Sequence, residues 1–153
     1  MAATADSVSR DSAESLSARF SRVRALSLTL VETLAPEDTV VQSMPDVSPT
    51  KWHLAHVTWF FERFVLESFV PGYRRLDEDY DYLFNSYYYT AGQMHARPRR
   101  GLLSRPTLAQ IFDYRAHVDR AMLELAGSRL DGAWEPSLSG LLELGLNHEQ
   151  QHQ

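Results

Sequence analysis

His148-Glu149-Gln150-Gln151-His152 sets two imidazoles four residues apart, which puts both on one face if the segment is a helix. Neutral imidazoles at that spacing can chelate one divalent metal, and the pattern matches H-E-x-x-H letter for letter. Two imidazoles rarely suffice, so the position of a third ligand decides the chemistry. A zincin protease takes it downstream, where only Gln153 remains. Upstream, His53 and His56 lie three apart in Lys51-Trp52-His53-Leu54-Ala55-His56. If the helices carrying the two pairs are neighbours, one of these faces His148 and His152. Three imidazoles without a thiolate suit Fe(II), Zn(II), Ni(II) or Cu(II), and they leave coordination positions open for catalysis. The plainer readings are a solvated helix end and a lone core histidine. Each imidazole must be neutral to ligate, so metal binding is expected to weaken below pH ~6.5.

A second set is basic. Arg97, Arg99, Arg100 and Arg105 carry guanidinium forks that can clamp a carboxylate or phosphate, or simply remain solvated. Just before them, Tyr80 to Tyr89 form an aromatic block that can line a pocket, move a proton or pack.

The elements that must position these residues are helical. Residues 1–12 lack an apolar period and read as a mobile tail. Asp11 and Glu14 resemble a capping box, and Leu16, Phe20, Val23, Leu30 and Leu34 predict a helix over about 13–35, stopped by Pro36. Ser48-Pro49 signals a second helix over about 49–70, apolar nearly all round and hence central, which Pro71-Gly72 ends. Residues 73–104 show no clear amphipathic period. A third helix, from Ser104–Thr107 to Gly127, carries the seam Leu108, Ile111, Arg115, Val118, Met122 and Leu125. Ser137 can cap a fourth, with Leu138, Leu141, Leu142, Leu144, His148 and His152. The expected fold is all-α, an antiparallel four-helix bundle over residues 13–153 with a long aromatic and Arg-rich connection between helices 2 and 3. The fourth helix reaches Gln153 without a stop signal, so the chain is expected to be a fragment of a longer protein.

Composition narrows the function classes. The chain has 153 residues, 44% hydrophobic and 23% charged, which suits one globular domain. Arg63 and Glu67 interrupt its richest apolar stretch, so no membrane span is expected. The absence of cysteine excludes disulfides, thiolate ligands and a cysteine nucleophile. A net charge of −5 argues against a general nucleic-acid binder. With no export signal, the cytoplasm is the expected compartment.

Four ordered blocks share a resemblance: Ser48-Pro49-Thr50-Lys51-Trp52-His53-Leu54-Ala55-His56, Tyr82-Leu83-Phe84-Asn85-Ser86-Tyr87-Tyr88, Arg97-Pro98-Arg99-Arg100-Gly101, and Leu146-Asn147-His148-Glu149-Gln150-Gln151-His152-Gln153. Together, from about residue 15 onward, they resemble the ergothioneine biosynthesis sulfoxide synthases (hercynine oxygenases). The resemblance implies a DinB-like four-helix bundle followed by a C-terminal domain like the formylglycine-generating enzymes, which is expected to fall outside these 153 residues. It implies a non-haem Fe(II) enzyme that uses O2 to join γ-glutamylcysteine or cysteine to the imidazole of hercynine, giving a sulfoxide. Carried over by motif, the iron ligands are His56, His148 and His152, with His53 beside them. Gln151 is the hercynine contact, and Arg97 and Arg100 bind the thiol substrate's carboxylate. The proton donor is expected in the absent domain, so the chain alone is expected to show little activity. Neighbouring readings are an ovothiol-type synthase, a stand-alone DinB-like metal-dependent thiol transferase, and a non-catalytic bundle that docks a partner.

Overall fold

The computed structural model describes residues 15–86, 92–128 and 135–153, and every regular element among them is helical. The expected N-terminal tail and Asp11–Glu14 capping box fall outside the described residues, as do Tyr87, Tyr88 and Tyr89. Helix α1 spans Leu16–Val31, and the Ser15 hydroxyl caps it by accepting from the Ala18 N–H at 3.2 Å. It stops short of the expected residue 35, because a turn precedes Pro36 and its N–H-less ring.

Helix α2 spans Thr50–Phe60, runs on through a π-helical segment, Phe61–Leu66, and closes with α3, Glu67–Phe69. The π segment is a departure from the regular helix that the sequence suggests. Apolar residues all round the rod hide the wider turn from any count of period. The connection that follows is partly ordered, with α4 at Asp79–Phe84 and a 3-10 helix at Arg97–Leu102. Two indole N–H groups tie α4 to α2: Trp52 donates to the Leu83 carbonyl at 2.9 Å and Trp59 to Asp81 at 2.7 Å. Helix α5, Leu108–Gly127, opens with a full capping box between Thr107 and Gln110. Helix α6, Pro136–His152, begins at Pro136 with Glu135 in the cap position, rather than at Ser137.

Side-chain pairings fix the senses of the long helices. Arg19 reaches Asn147 while Gln153 reaches the Val23 carbonyl and Ser27, so α1 and α6 run parallel. Phe20 meets Phe61 and Arg24 meets Thr58, whereas His56 meets His148 and His53 meets His152. Helix α2 is therefore antiparallel to both α1 and α6. Arg24 also pairs with Asp119, while Leu34 shares a groove with Leu108, which makes α5 antiparallel to α1. An order in which every neighbour is antiparallel does not describe α1 and α6. The reason is the long connection: it carries the chain back to the start of α2, where the Leu103 carbonyl accepts from Lys51 Nζ at 2.9 Å, so α5 repeats the direction of α2.

The core is centred on Trp59, Phe60, Phe61, Ile111, Met122, Leu138, Leu142 and Leu146, all 2% exposed or less. Helix α6 approaches α2 closely at Gly145, where a Cβ would fall 2.6 Å from a Phe61 ring carbon and 2.9 Å from a Phe60 ring carbon. Both rings are buried and cannot yield, so glycine sets this approach. One turn further along, the same approach brings His148 against His56. No helix among the described residues is long and apolar enough to cross a membrane.

Candidate metal centre

Three rings converge where α2 meets the last turn of α6. His148 Nε2 lies 3.1 Å from His56 Nε2 and 3.1 Å from His152 Nε2, and one ligand nitrogen from each ring falls within 4.8 Å of the others. Nitrogens about 2.1 Å from one metal sit roughly 3.0 Å apart at right angles and roughly 3.4 Å apart in a tetrahedron. Both distances from His148 Nε2 match that range, and the three rings together could hold a divalent cation with positions left open. His53, the other upstream candidate, does not join the trio. Its Nδ1 faces His152 Nδ1 at 2.7 Å, on the side of that ring away from the centre.

The ring of His56 is fixed on every side. Its Nδ1 donates to the Phe84 carbonyl at 2.6 Å, which leaves Nε2 as a lone pair directed at the centre. Trp52 stacks on one face at 4.6 Å and Trp59 on the other at 5.7 Å, both nearly parallel. Arg100 covers the outer face of Trp52, with its guanidinium carbon 3.6 Å from the ring centre. His148 packs against Phe60, and its buried Nδ1 has no hydrogen-bond partner.

Glu149 turns away from the metal centre. Its carboxylate accepts from Arg24 Nη1 at 3.0 Å, Arg115 Nη2 at 3.1 Å and the Ser27 hydroxyl at 2.5 Å, and it is wholly buried. Arg24 also holds Asp119 at 2.7 Å and Thr58 at 2.9 Å. Burial alone would raise the Glu149 pKa; the Arg24 and Arg115 charges overcome it and hold the carboxyl below its ordinary range. In a zincin the glutamate of this motif is the general base, a role that needs it beside the metal. Here it is the anion of a buried ion-pair network that anchors α6.

A cleft of about 370 Å³ opens onto the three histidines, and Arg97 and Arg100 line it together with Ser48, Trp52, His53 and Ser86. Arg100 is buried and donates to Ser48 Oγ at 2.9 Å and Ser86 Oγ at 3.2 Å. Arg97 donates to the Asp46 carbonyl at 3.2 Å. Arg99 and Arg105 are exposed and do not line this cleft. Gln151 is also exposed and lies outside the lining. Of the six residues singled out for the site, five gather around one cleft and Gln151 does not.

Burial keeps these rings neutral. It is the first cause that pushes His53 and His148 down to about 4, the charge of His152 adding to it, and it takes His56 well below its ordinary value. His152 is lowered as well, by burial and then by the Arg100 charge against the pull of Glu149. Protons therefore compete for the centre at a lower pH than the ~6.5 of a free imidazole. Histidines with pKa values lowered by folding bind more protons when unfolded, so stability falls as pH drops below about 6.5. The urea midpoint of the metal-free chain is expected to be lower at pH 5 than at pH 7, in a window where Glu149 still holds its charge.

Several residues that matter here carry no local motif. The Phe84 carbonyl, the Trp52 and Trp59 faces, and the Arg24–Glu149–Arg115 network depend on contacts between distant segments. One signal was present: Arg115 sits in the middle of an otherwise apolar seam, and a buried guanidinium needs a carboxylate. Comparison with curated proteins gives no match. The sequence model of the DinB superfamily matches residues 19–153, a span that contains α2, α6 and all three converging histidines, and the chain belongs to that superfamily.

Proposed function

We propose that this domain is the metal-binding part of a non-haem Fe(II), O2-dependent sulfoxide synthase, one that forms a C–S bond between hercynine and γ-glutamylcysteine or cysteine. The observation that carries the reading is the set of three Nε2 atoms converging at the floor of a cleft that Arg97 and Arg100 also line. His56, His148 and His152 would hold the iron, which when bound supplies the means to activate O2. The DinB-like four-helix bundle gives the rigid frame on which such ligands are set.

The chain's own residues have defined parts in this reading. Arg97 and Arg100 bring positive charge to the cleft and orient the carboxylate of the thiol substrate. The Trp52 and Trp59 faces keep water from the ring of His56. Gln151 is assigned to hercynine on the resemblance alone. The cytoplasm, where thiols stay reduced, belongs to the same proposal.

The test is product formation, followed by mass spectrometry with Fe(II), O2, hercynine and γ-glutamylcysteine or cysteine. Little sulfoxide is expected from this chain alone. Together with the second domain that the resemblance implies, sulfoxide is expected, and His56→Ala should remove it. Thiol consumption without O2 uptake would favour a metal-dependent thiol transferase instead. Neither reaction would leave the catalytic reading without support.

A further inference from the structure

Two clefts meet at the His53–His152 pair. The cleft over the metal centre and a second of about 240 Å³, lined by Ser27, Leu54, Val57 and Gln153, share both rings. His53 Nδ1 and His152 Nδ1 are 2.7 Å apart, and the opposite nitrogen of His152, Nε2, is the one turned to His148. A bond between two ring nitrogens needs one donor and one acceptor, and a neutral imidazole has a single N–H. A His152 that ligates through Nε2 has its lone pair there and its one proton on Nδ1, so across the 2.7 Å contact His152 donates and His53 Nδ1 accepts. With that proton on Nδ1, His152 presents a lone pair at Nε2. His56 reaches the same state by donating its Nδ1–H to the Phe84 carbonyl.

We propose that His53 is a positioning residue of the metal centre: it accepts from His152 Nδ1–H and holds that ring in the tautomer and orientation that ligate through Nε2. The inference rests on the three-histidine centre of the proposed function. It gives a role to a histidine that lies beside the ligands and is not one of them. Partners of this kind, hydrogen-bonded to a ligating imidazole, affect metal affinity by about 10–100-fold when removed.

The experiment uses Co(II) as probe metal and the whole chain, titrated while the visible absorption of the bound ion is recorded. Two substitutions separate hydrogen bonding from packing. His53→Leu keeps bulk and removes the acceptor, whereas His53→Asn places an amide acceptor near the position of Nδ1. His53→Leu should bind one Co(II) about 10–100-fold more weakly, with a shifted spectrum. His53→Asn should return both affinity and spectrum close to those of the unsubstituted chain. Unchanged affinity and spectrum in His53→Leu overturn the proposal, as does equal weakening in both variants, since packing alone would explain that. Complete loss of binding in His53→Leu, matching His56→Ala, would make His53 a ligand and overturn it too. Those three results leave the three-histidine centre standing; failure of the unsubstituted chain to bind Co(II) removes the centre and this role together.

Discussion

Replacing His56 with Ala is expected to weaken Fe(II) binding by roughly 10²–10³-fold. Structural Zn²⁺ sites are held by about 10–16 kcal/mol across four ligands, so each ligand is worth about 2.5–4 kcal/mol. His56 is the one member of the trio that comes from α2, and it is buried between two indole rings. Without it, His148 and His152 remain as an i,i+4 pair on one helix, which is a bidentate site and no longer an enclosed one. Anaerobic titration of both proteins checks this, with urea midpoints recorded alongside. The substitution also strands the Phe84 carbonyl, and the midpoints show how much of any loss is folding. Equal affinity in the two proteins would reject the assignment of His56 and favour a two-histidine site.

Glu149→Ala is expected to cost about 3–5 kcal/mol of stability, the penalty for leaving buried charge without its partner. Against a total of ~5–15 kcal/mol for a typical domain, that is enough to unfold a marginal protein. The loss is large because Arg24 and Arg115 are 3% and 2% exposed: Arg24 would keep only Asp119, and Arg115 would lose the carboxylate it pairs with. Burial and the neighbouring Arg24 charge push the Arg115 pKa down to about 10, and the Glu149 charge is the first of the groups that oppose them. Urea unfolding of the metal-free protein measures the effect. A glutamate serving as a metal-side base would behave differently, with unchanged stability and impaired chemistry. Stability within about 0.5 kcal/mol of the unsubstituted chain, the usual range for a surface change, would contradict a structural role for Glu149.

How much of this was legible before the fold was known varies by residue, for physical reasons. His148 and His152 could be paired from their spacing alone, because i,i+4 neighbours on a helix need no tertiary information. The choice between His53 and His56 could not be made that way. Both point towards α6, and only the rotation of α2 sends His56 Nε2 to the centre and His53 Nδ1 to the far side of His152. The helical seam of α5 was readable because its buried residues recur every three or four positions: Ile111, Arg115, Val118, Met122 and Leu125. The π-helical segment at Phe61–Leu66 was not, since a helix with apolar residues all round has no face whose drift would reveal it. The parallel sense of α1 and α6 was hidden as well. It follows from the path of a long connection, and neither composition nor period records which end of a bundle such a connection reaches. Glu149 lies inside the H-E-x-x-H match, which gives no hint of its role, because its ion pairs come from residues 34 and 125 positions away in sequence.

On the reading proposed here, three imidazoles, one from α2 and two from α6, hold a single metal ion. X-ray absorption of the Fe(II)-loaded chain tests it most directly, because it counts nitrogen ligands of the imidazole type and measures their distances. One iron per chain is expected, with three imidazole nitrogens at about 2.1 Å and the remaining positions filled by oxygen donors from solvent. Two imidazoles, or an iron surrounded by carboxylate oxygen alone, would contradict it.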